Sequence, residues 1–269
     1  MAKDELIFGL HAVMGALQYA DRNLRAIWVE RSRRDRRMRA LLEAAGRYGV
    51  AVHLEDRATL DRLSGGAPHQ GVVARCGAVA CARNENDLSG ILGSAGGPPL
   101  LLVLDGVQDP HNLGACLRCA DAAGVDGVIV PADRAVGLTA TVRKVACGAA
   151  ETIPFMRVTN LARCLRSIRE RGLAIVGAAG EARETFHDVD FSGPVAIVLG
   201  AEHKGLRRLT RESCDCLARI PMLGRVESLN VAVAAGIFLF EAVRQRRAVS
   251  NEGALEGFRP RPRGLADRR

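Results

Sequence analysis

Leu100-Leu-Leu-Val-Leu104-Asp105-Gly-Val-Gln-Asp109-Pro-His-Asn112-Leu-Gly-Ala-Cys-Leu-Arg118-Cys-Ala-Asp-Ala-Ala-Gly124 decides the fold. An unbroken apolar run of strand length comes first, as in a strand buried on both faces. A polar connection follows, then a helical pattern from Leu113 to Ala123 that ends at Gly124. The same alternation continues outward. Gly127–Val130, Ala174–Val176, Val195–Leu199 and Ala218–Ile220 read as strands. Leu161–Arg171 and the long apolar Leu229–Arg246 read as helices. Strands alternating with helices predict an α/β unit with a parallel sheet covered on both faces.

Upstream, residues 1–76 predict a smaller α/β unit. Ala12, Val13, Ala16, Leu17 and Ala20 have helical spacing, as do Met38, Leu41, Leu42 and Ala45. Ala26–Val29, Val50–Leu54 and Gly71–Arg75 read as strands, and Asp56 as the cap of a short helix containing Leu60 and Leu63. The expected division is therefore 1–80, a linker at 81–99, a larger unit at 100–247 and a basic, disordered tail at 248–269. The linker loses its periodic pattern after Cys81 and ends in Gly96-Gly-Pro-Pro99, with room for a short helix around Leu88–Leu92.

Composition bounds the function. The chain has 269 residues, 48% of them hydrophobic, enough for a real core. Its net charge is +8, which points to a polyanionic partner. Only Lys3, Lys144 and Lys204 are lysine; the other 35 of the 38 basic residues are arginine, as GC-rich codon usage alone would also produce. Aromatics are 4%, which argues against recognition by many stacking rings. The start, Met1–Leu10, lacks the pattern of a secretory leader. The run Val231–Phe240 is about half of a membrane span. A cytoplasmic protein with reduced cysteines is expected. Cys116-x-x-Cys119 and Cys214-x-Cys216 could supply four zinc ligands, but the first pair falls within a helix; small buried thiols and no metal are the expectation.

The polar residues gather where strands end, the position at which open α/β sheets bind ligands. After the first strand, Asn112 is expected to cap the helix whose N-terminus favours anions, with Arg118 further in. After Val195–Leu199 comes Gly200-Ala-Glu202-His-Lys-Gly205-Leu206. A phosphate loop would need Lys and Ser or Thr after the second glycine, where Leu206 and Arg207 stand, and Glu202 would repel phosphate. No Gly-x-Gly-x-x-Gly follows any strand, which excludes the dinucleotide fold. After Ala218–Ile220, Ser228 and Asn230 flank Leu229 at the start of an all-apolar helix, with Ser228 the expected cap. Buried polar groups there need partners, which a ligand could supply.

These three segments together resemble the SpoU (TrmH-like) class of SPOUT RNA methyltransferases. Asn112-x5-Arg118, Leu199-Gly-x-Glu202-x-x-Gly205 and Ile220-Pro-Met-x-Gly…Ser228-Leu-Asn-Val231 match its motifs in order and spacing across residues 100–247. Phe8-Gly-Leu-His-Ala-Val13 and His69-Gln-Gly-Val-Val-Ala74 are similar to the ribosomal-protein-like (L30e-like) substrate-binding domain of the same class. Two departures stand out: Ala232 replaces a frequent serine, and His203 a frequent glycine.

The resemblance implies a SPOUT domain with a deep C-terminal trefoil knot. It implies S-adenosylmethionine held by backbone near Gly200, Ile220, Met222 and Leu229. It implies a homodimer with its active site near the subunit interface, and Arg118, Asn112, Glu202, Ser228 and Asn230 as catalytic residues. The implied reaction is methyl transfer to a ribose 2'-hydroxyl, most closely that of a guanosine in 23S rRNA, free or in a large-subunit assembly intermediate. A tRNA or other rRNA target, or a non-catalytic RNA-binding or ribosome-assembly protein, are the alternatives. Arg31, Arg33, Arg34, Arg36, Arg37 and Arg39 place six arginines within nine residues, readable as a solvated helix face or as an RNA phosphate footprint.

Overall fold

The computed structural model describes residues 5–19, 24–76, 82–83, 87–201 and 205–253. The N-terminal unit runs β1 (Glu5–Phe8), α1 (Leu10–Tyr19), β2 (Leu24–Glu30), α2 (Arg36–Arg47), β3 (Ala51–Glu55), α3 (Arg57–Ser64) and β4 (Val72–Cys76). The sheet order is β1-β4-β2-β3, with β4 antiparallel to both its neighbours and β2 parallel to β3. Asp35 caps α2 by accepting from the backbone N–H groups of Arg37 and Met38. Asp56 caps α3 through Thr59 N–H at 2.7 Å, as the sequence predicts. Met38, Leu41, Ala44 and Ala45 of α2 pack with Ile7, Ile27 and Val29 of the sheet.

The larger unit is built on eight strands, all paired in parallel, in the order β10-β12-β9-β11-β6-β7-β8-β5. These are β5 (Ala82–Arg83), β6 (Leu100–Asp105), β7 (Gly127–Pro131), β8 (Phe155–Val158), β9 (Ala174–Ala178), β10 (Glu184–Thr185), β11 (Val195–Gly200) and β12 (Cys216–Arg219). The helices are α4 (Leu88–Gly93), α5 (Pro110–Ala123), α6 (Ala140–Ala146), α7 (Ala149–Thr152), α8 (Leu161–Glu170), α9 (Arg208–Glu212) and α10 (Val231–Gly253). Side chains alternate along each strand, so each strand feeds two cores. Leu100, Leu102 and Leu104 face a layer that includes Leu113 and Leu117 of α5 and Phe238 and Leu239 of α10. Leu101 and Val103 face Leu88 and Ile91 of α4 and Leu165 and Ile168 of α8. The two units meet where α1 lies against α6 and α7. A Cβ on Gly15 would come within 2.7 Å of Gly148 Cα, so glycine permits this approach.

Several expectations need correction. Residues 81–99 are not simply a linker: Ala82–Arg83 pairs with β8 at the sheet edge, and Leu88 and Ile91 are buried. A two-residue edge strand carries too little pattern to be read. The last helix continues to Gly253, into the stretch expected to be tail, because neither glycine nor proline falls between Gly236 and Gly253; residues 254–269 lie outside the described residues. Asn112 is not the cap of α5. Asp109 is, accepting from His111 N–H at 2.9 Å with Pro110 in the first turn, which leaves Asn112 inside the helix. Finally, the cysteines are not uniformly buried. Cys76, Cys116 and Cys164 are, but Cys147 is exposed. Cys81 lies outside the described residues.

Candidate active site

The carboxyl ends of β6, β11 and β12 carry the three connections singled out above. The first begins at Asp105 and leads into α5. Arg118 stands on the exposed side of that helix, about 9 Å along its axis from Asn112 at 1.5 Å per residue. Its Nη1 donates to Cys147 Sγ at 4.0 Å, and Cys147 Sγ in turn donates to the Lys144 carbonyl at 3.7 Å. Behind α5, Arg143 of α6 and Glu151 of α7 form a buried ion pair at 2.6 Å. Burial pushes the Glu151 carboxyl up, and the Arg143 guanidinium opposes that shift.

The second connection leaves β11 at Gly200, which lies beside Asp105 in the sheet register. A Cβ on Gly200 would sit 2.1 Å from the Gly205 carbonyl carbon. Only glycine lets the chain fold back so closely on its own strand end. Gly205 N–H donates to the Ala201 carbonyl at 2.9 Å and closes the turn. Glu202 lies outside the described residues.

The third connection, residues 220–230, opens to solvent. Leu223 is 99% exposed and Val226 63%. Ser228 is exposed, while Ile220, Met222 and Leu229 are half-buried. Among the described residues, no backbone hydrogen bond ties 221–229 to the rest of the chain. The cap of α10 is Asn230, not Ser228: Asn230 Oδ1 accepts from Ala232 N–H at 2.9 Å and its carbonyl from Ala234 N–H at 3.0 Å. Its Nδ2 donates to Asn112 Oδ1 at 2.8 Å. That bond joins residues 118 positions apart and brings the N-terminal ends of α5 and α10 together. Two helix N-termini make a local positive potential suited to an anion or a developing oxyanion.

Of the expected site residues, Asn112 and Asn230 are thus in direct contact. Arg118 reaches Cys147 instead, and Ser228 stands apart in the open connection. The surroundings suit a cofactor with a flat ring and polar edges. The turn at Gly200 leaves no room for a side chain, and the connection that follows β12 carries three half-buried apolar side chains, Ile220, Met222 and Leu229. Within the arginine run, Arg31, Arg34, Arg36, Arg37 and Arg39 are exposed around the start of α2. Arg33 is partly committed, bonded to Asp35 and the Gln70 carbonyl.

Sequence reading missed the pair that holds the first two connections together. Asp105 is buried, and its carboxylate binds the backbone and guanidinium of Arg207. A charged residue directly after five apolar ones is a signal, but its partner is 102 positions away.

Comparison with known proteins agrees with this layout. The model of the SpoU rRNA Methylase family matches residues 99–240, and that of RNA 2'-O ribose methyltransferase substrate binding matches 6–80. The chain is 54% identical over 249 residues to the 23S rRNA (guanosine-2'-O-)-methyltransferase RlmB of Ralstonia nicotianae, covering 93% of this chain and 99% of that one. It is 53% identical over 244 residues to the enzyme of the same name from Escherichia coli, covering 90% and 99%. Among solved structures, the SpoU methyltransferase AviRb from Streptomyces viridochromogenes in complex with AdoMet superposes with a TM-score of 0.74 at 26% identity, over 91% of each chain.

Proposed function

The chain belongs to the SpoU rRNA methylase family, and from that premise we propose that it methylates the ribose 2'-hydroxyl of a guanosine in 23S rRNA. The single observation that carries the reading to chemistry is the Asn230–Asn112 hydrogen bond at 2.8 Å. It joins two of the family motifs at the point where two helix N-termini meet.

S-adenosylmethionine, when bound, supplies an electrophilic sulfonium methyl group, so the chain's own task is alignment and proton management. Gly200, Ile220, Met222 and Leu229 hold the cofactor, mainly through backbone. Asn112 and Asn230 fix the 2'-hydroxyl, with Glu202 and Ser228 completing the set. Arg118 faces the hydroxyl and an RNA phosphate. A guanidinium stays protonated in proteins, so Arg118 acts as an anchor that stabilises the developing alkoxide, and the 2'-hydroxyl proton leaves to solvent as the methyl group is transferred.

The rest of the reading is architectural. Residues 1–80 form a ribosomal-protein-like (L30e-like) RNA-binding domain, and 100–247 the catalytic domain with a C-terminal trefoil knot. The exposed apolar side chains Leu223, Val226, Val233 and Phe240 support a homodimer closing over the open connection. No helix among the described residues is long and apolar enough to cross a membrane, and work on rRNA supports a cytoplasmic location. Arg31, Arg33, Arg34, Arg36, Arg37 and Arg39 form a phosphate footprint on the rRNA or on a large-subunit assembly intermediate.

Mapping 2'-O-methylation across rRNA and tRNA in a deletion strain tests the reaction. One 23S guanosine should lose its mark; a lost tRNA mark, or no lost mark, overturns the assignment. Replacing Arg33, Arg34, Arg36 and Arg37 with Gln tests the footprint. The slope of log affinity against log salt should flatten by about 0.7–0.9 per phosphate contact removed, and an unchanged slope rejects it.

A further inference from the structure

We propose that Asp105 is a positioning residue for the cofactor, acting through Arg207 on the turn that begins at Gly200. The inference rests on the methyltransferase reading above and goes beyond it, because neither residue belongs to the motifs that carry that reading.

The geometry is specific. Asp105 is the last residue of β6, and its side chain is fully buried. Its Oδ2 accepts from the backbone N–H of Arg207 at 3.0 Å. Its Oδ1 accepts from Arg207 Nε and Nη2, each at 2.5 Å. A buried carboxylate is costly unless charge and hydrogen bonds both compensate it, and here one residue supplies both. Arg207 is the residue just before α9, and its side chain is 42% exposed. The burden of burial therefore falls on Asp105 alone.

The placement explains why the pair matters. Gly200 and Asp105 are register partners at the ends of β11 and β6. The chain leaves Gly200, turns, and returns with Gly205 against Gly200; two residues later Arg207 is fastened to the neighbouring strand end. Both ends of the turn are thereby fixed to one strand pair. A cofactor bound mainly by backbone has few side chains to select its geometry, so the position of that backbone sets its affinity. Asp105 also opens the connection toward Asn112, so the same carboxylate ties the cofactor side of the site to the substrate side.

The test measures S-adenosylmethionine binding to the full chain by calorimetry, with rRNA affinity and turnover alongside. Asp105→Asn and Arg207→Ala should each weaken cofactor binding about tenfold or more, the scale of a lost charged hydrogen bond. Affinity for rRNA should stay close to wild type, and the loss should fall on KM for the cofactor more than on kcat. Arg207→Lys, which keeps charge but not the fork, should rescue only part of the loss. The double variant should be no weaker than the worse single one, since both act through one contact. Should Asp105→Asn fail to fold, the half-exposed Arg207→Ala carries the test. A folded Arg207→Ala chain with unchanged cofactor affinity overturns the proposal, even if its melting temperature falls, for that is the mark of a purely structural bond. Full additivity in the double variant also overturns it. A wild-type chain that takes up no S-adenosylmethionine overturns the methyltransferase reading itself, a result distinct from either.

Discussion

Two connections reach the same site from the same edge of one sheet, and they are built in opposite ways. The Asp105–Asn112 connection is tied down at every step. Asp105 is buried on Arg207, Asp109 caps α5, and Asn112 is bonded to Asn230. The 220–230 connection is anchored at its two ends, by Ile220 against the core and by Asn230, while Leu223 and Val226 between them project into solvent. The difference separates what the single chain prepares from what ligand or partner must complete. The first connection and the α5 side chains are organised in advance, which is where preorganisation lowers a barrier most. In the proposed homodimer the second would take its final shape around the cofactor and a second subunit, which would also cover its exposed apolar side chains.

The largest effect should come from the organised side. Arg118→Ala should lower turnover by at least about 100-fold, the scale of losing a positioned cation or oxyanion donor. Its guanidinium is exposed and meets only the Cys147 thiol among described side chains, so folding should be unaffected. Single-turnover kinetics with an rRNA fragment, beside a melting curve, checks both halves. For Arg118→Lys, the rate should stay well below wild type at every pH. Near-normal turnover across the pH range would remove any special role for the guanidinium.

Asn230 is the hinge between the two connections and should give the next largest effect. Asn230→Ala removes the cap of α10 and the bond to Asn112 together. Stability should fall by about 1 kcal/mol from the cap alone, and turnover by about tenfold from the lost contact. Asn112→Ala removes the bond to Asn230 but keeps the cap of α10, so it should cost turnover with a smaller loss of stability than Asn230→Ala. If both variants lose the same stability, the cap is not where Asn230 contributes.

How much of this was readable beforehand follows from the same contrast. The strands of the larger sheet were legible because burial on both faces demands continuous apolar runs such as Leu100–Leu104 and Val195–Leu199. Asn112, Arg118, Ser228 and Asn230 were legible as candidates because polar groups crowd the starts of apolar helices. Local competition was harder. Ser228 and Asn230 both suit a cap, and the choice depends on where the chain turns, although Pro110 could have marked Asp109 as the cap of α5. Short strands such as Phe155–Val158 and Glu184–Thr185 carry too few residues for a period. The Asp105–Arg207 pair was out of reach, since spacing along a chain does not state which strand ends become neighbours.

The open connection yields a test with a small thermal effect and a clear assembly effect. Leu223→Asp combined with Val226→Asp should change chain stability by no more than about 0.5 kcal/mol, as expected for surface positions. Sedimentation should nevertheless shift from dimer toward monomer, and cofactor affinity should fall with it. A dimer that survives both aspartates would place the subunit contact elsewhere and leave the exposed side chains without that explanation.

The smallest perturbation is a chemical probe of the organised side. The thiolate is the reactive form of cysteine, so labelling depends on both exposure and pKa. Burial, with help from the neighbouring Asp215, pushes the Cys214 thiol up to about 12, so near neutral pH it should resist iodoacetamide. Cys147 is exposed and lies beside Arg118. Peptide mapping of the folded chain should therefore find Cys147 labelled well before Cys214. Bound rRNA should slow labelling of Cys147, because a backbone phosphate held by Arg118 would cover the thiol. S-adenosylmethionine alone should not, since its expected contacts lie on the Gly200 and 220–230 connections. Protection by cofactor but not by RNA would reverse the assignment of the two sides, making the α5–α6 corner the cofactor's rather than the substrate's.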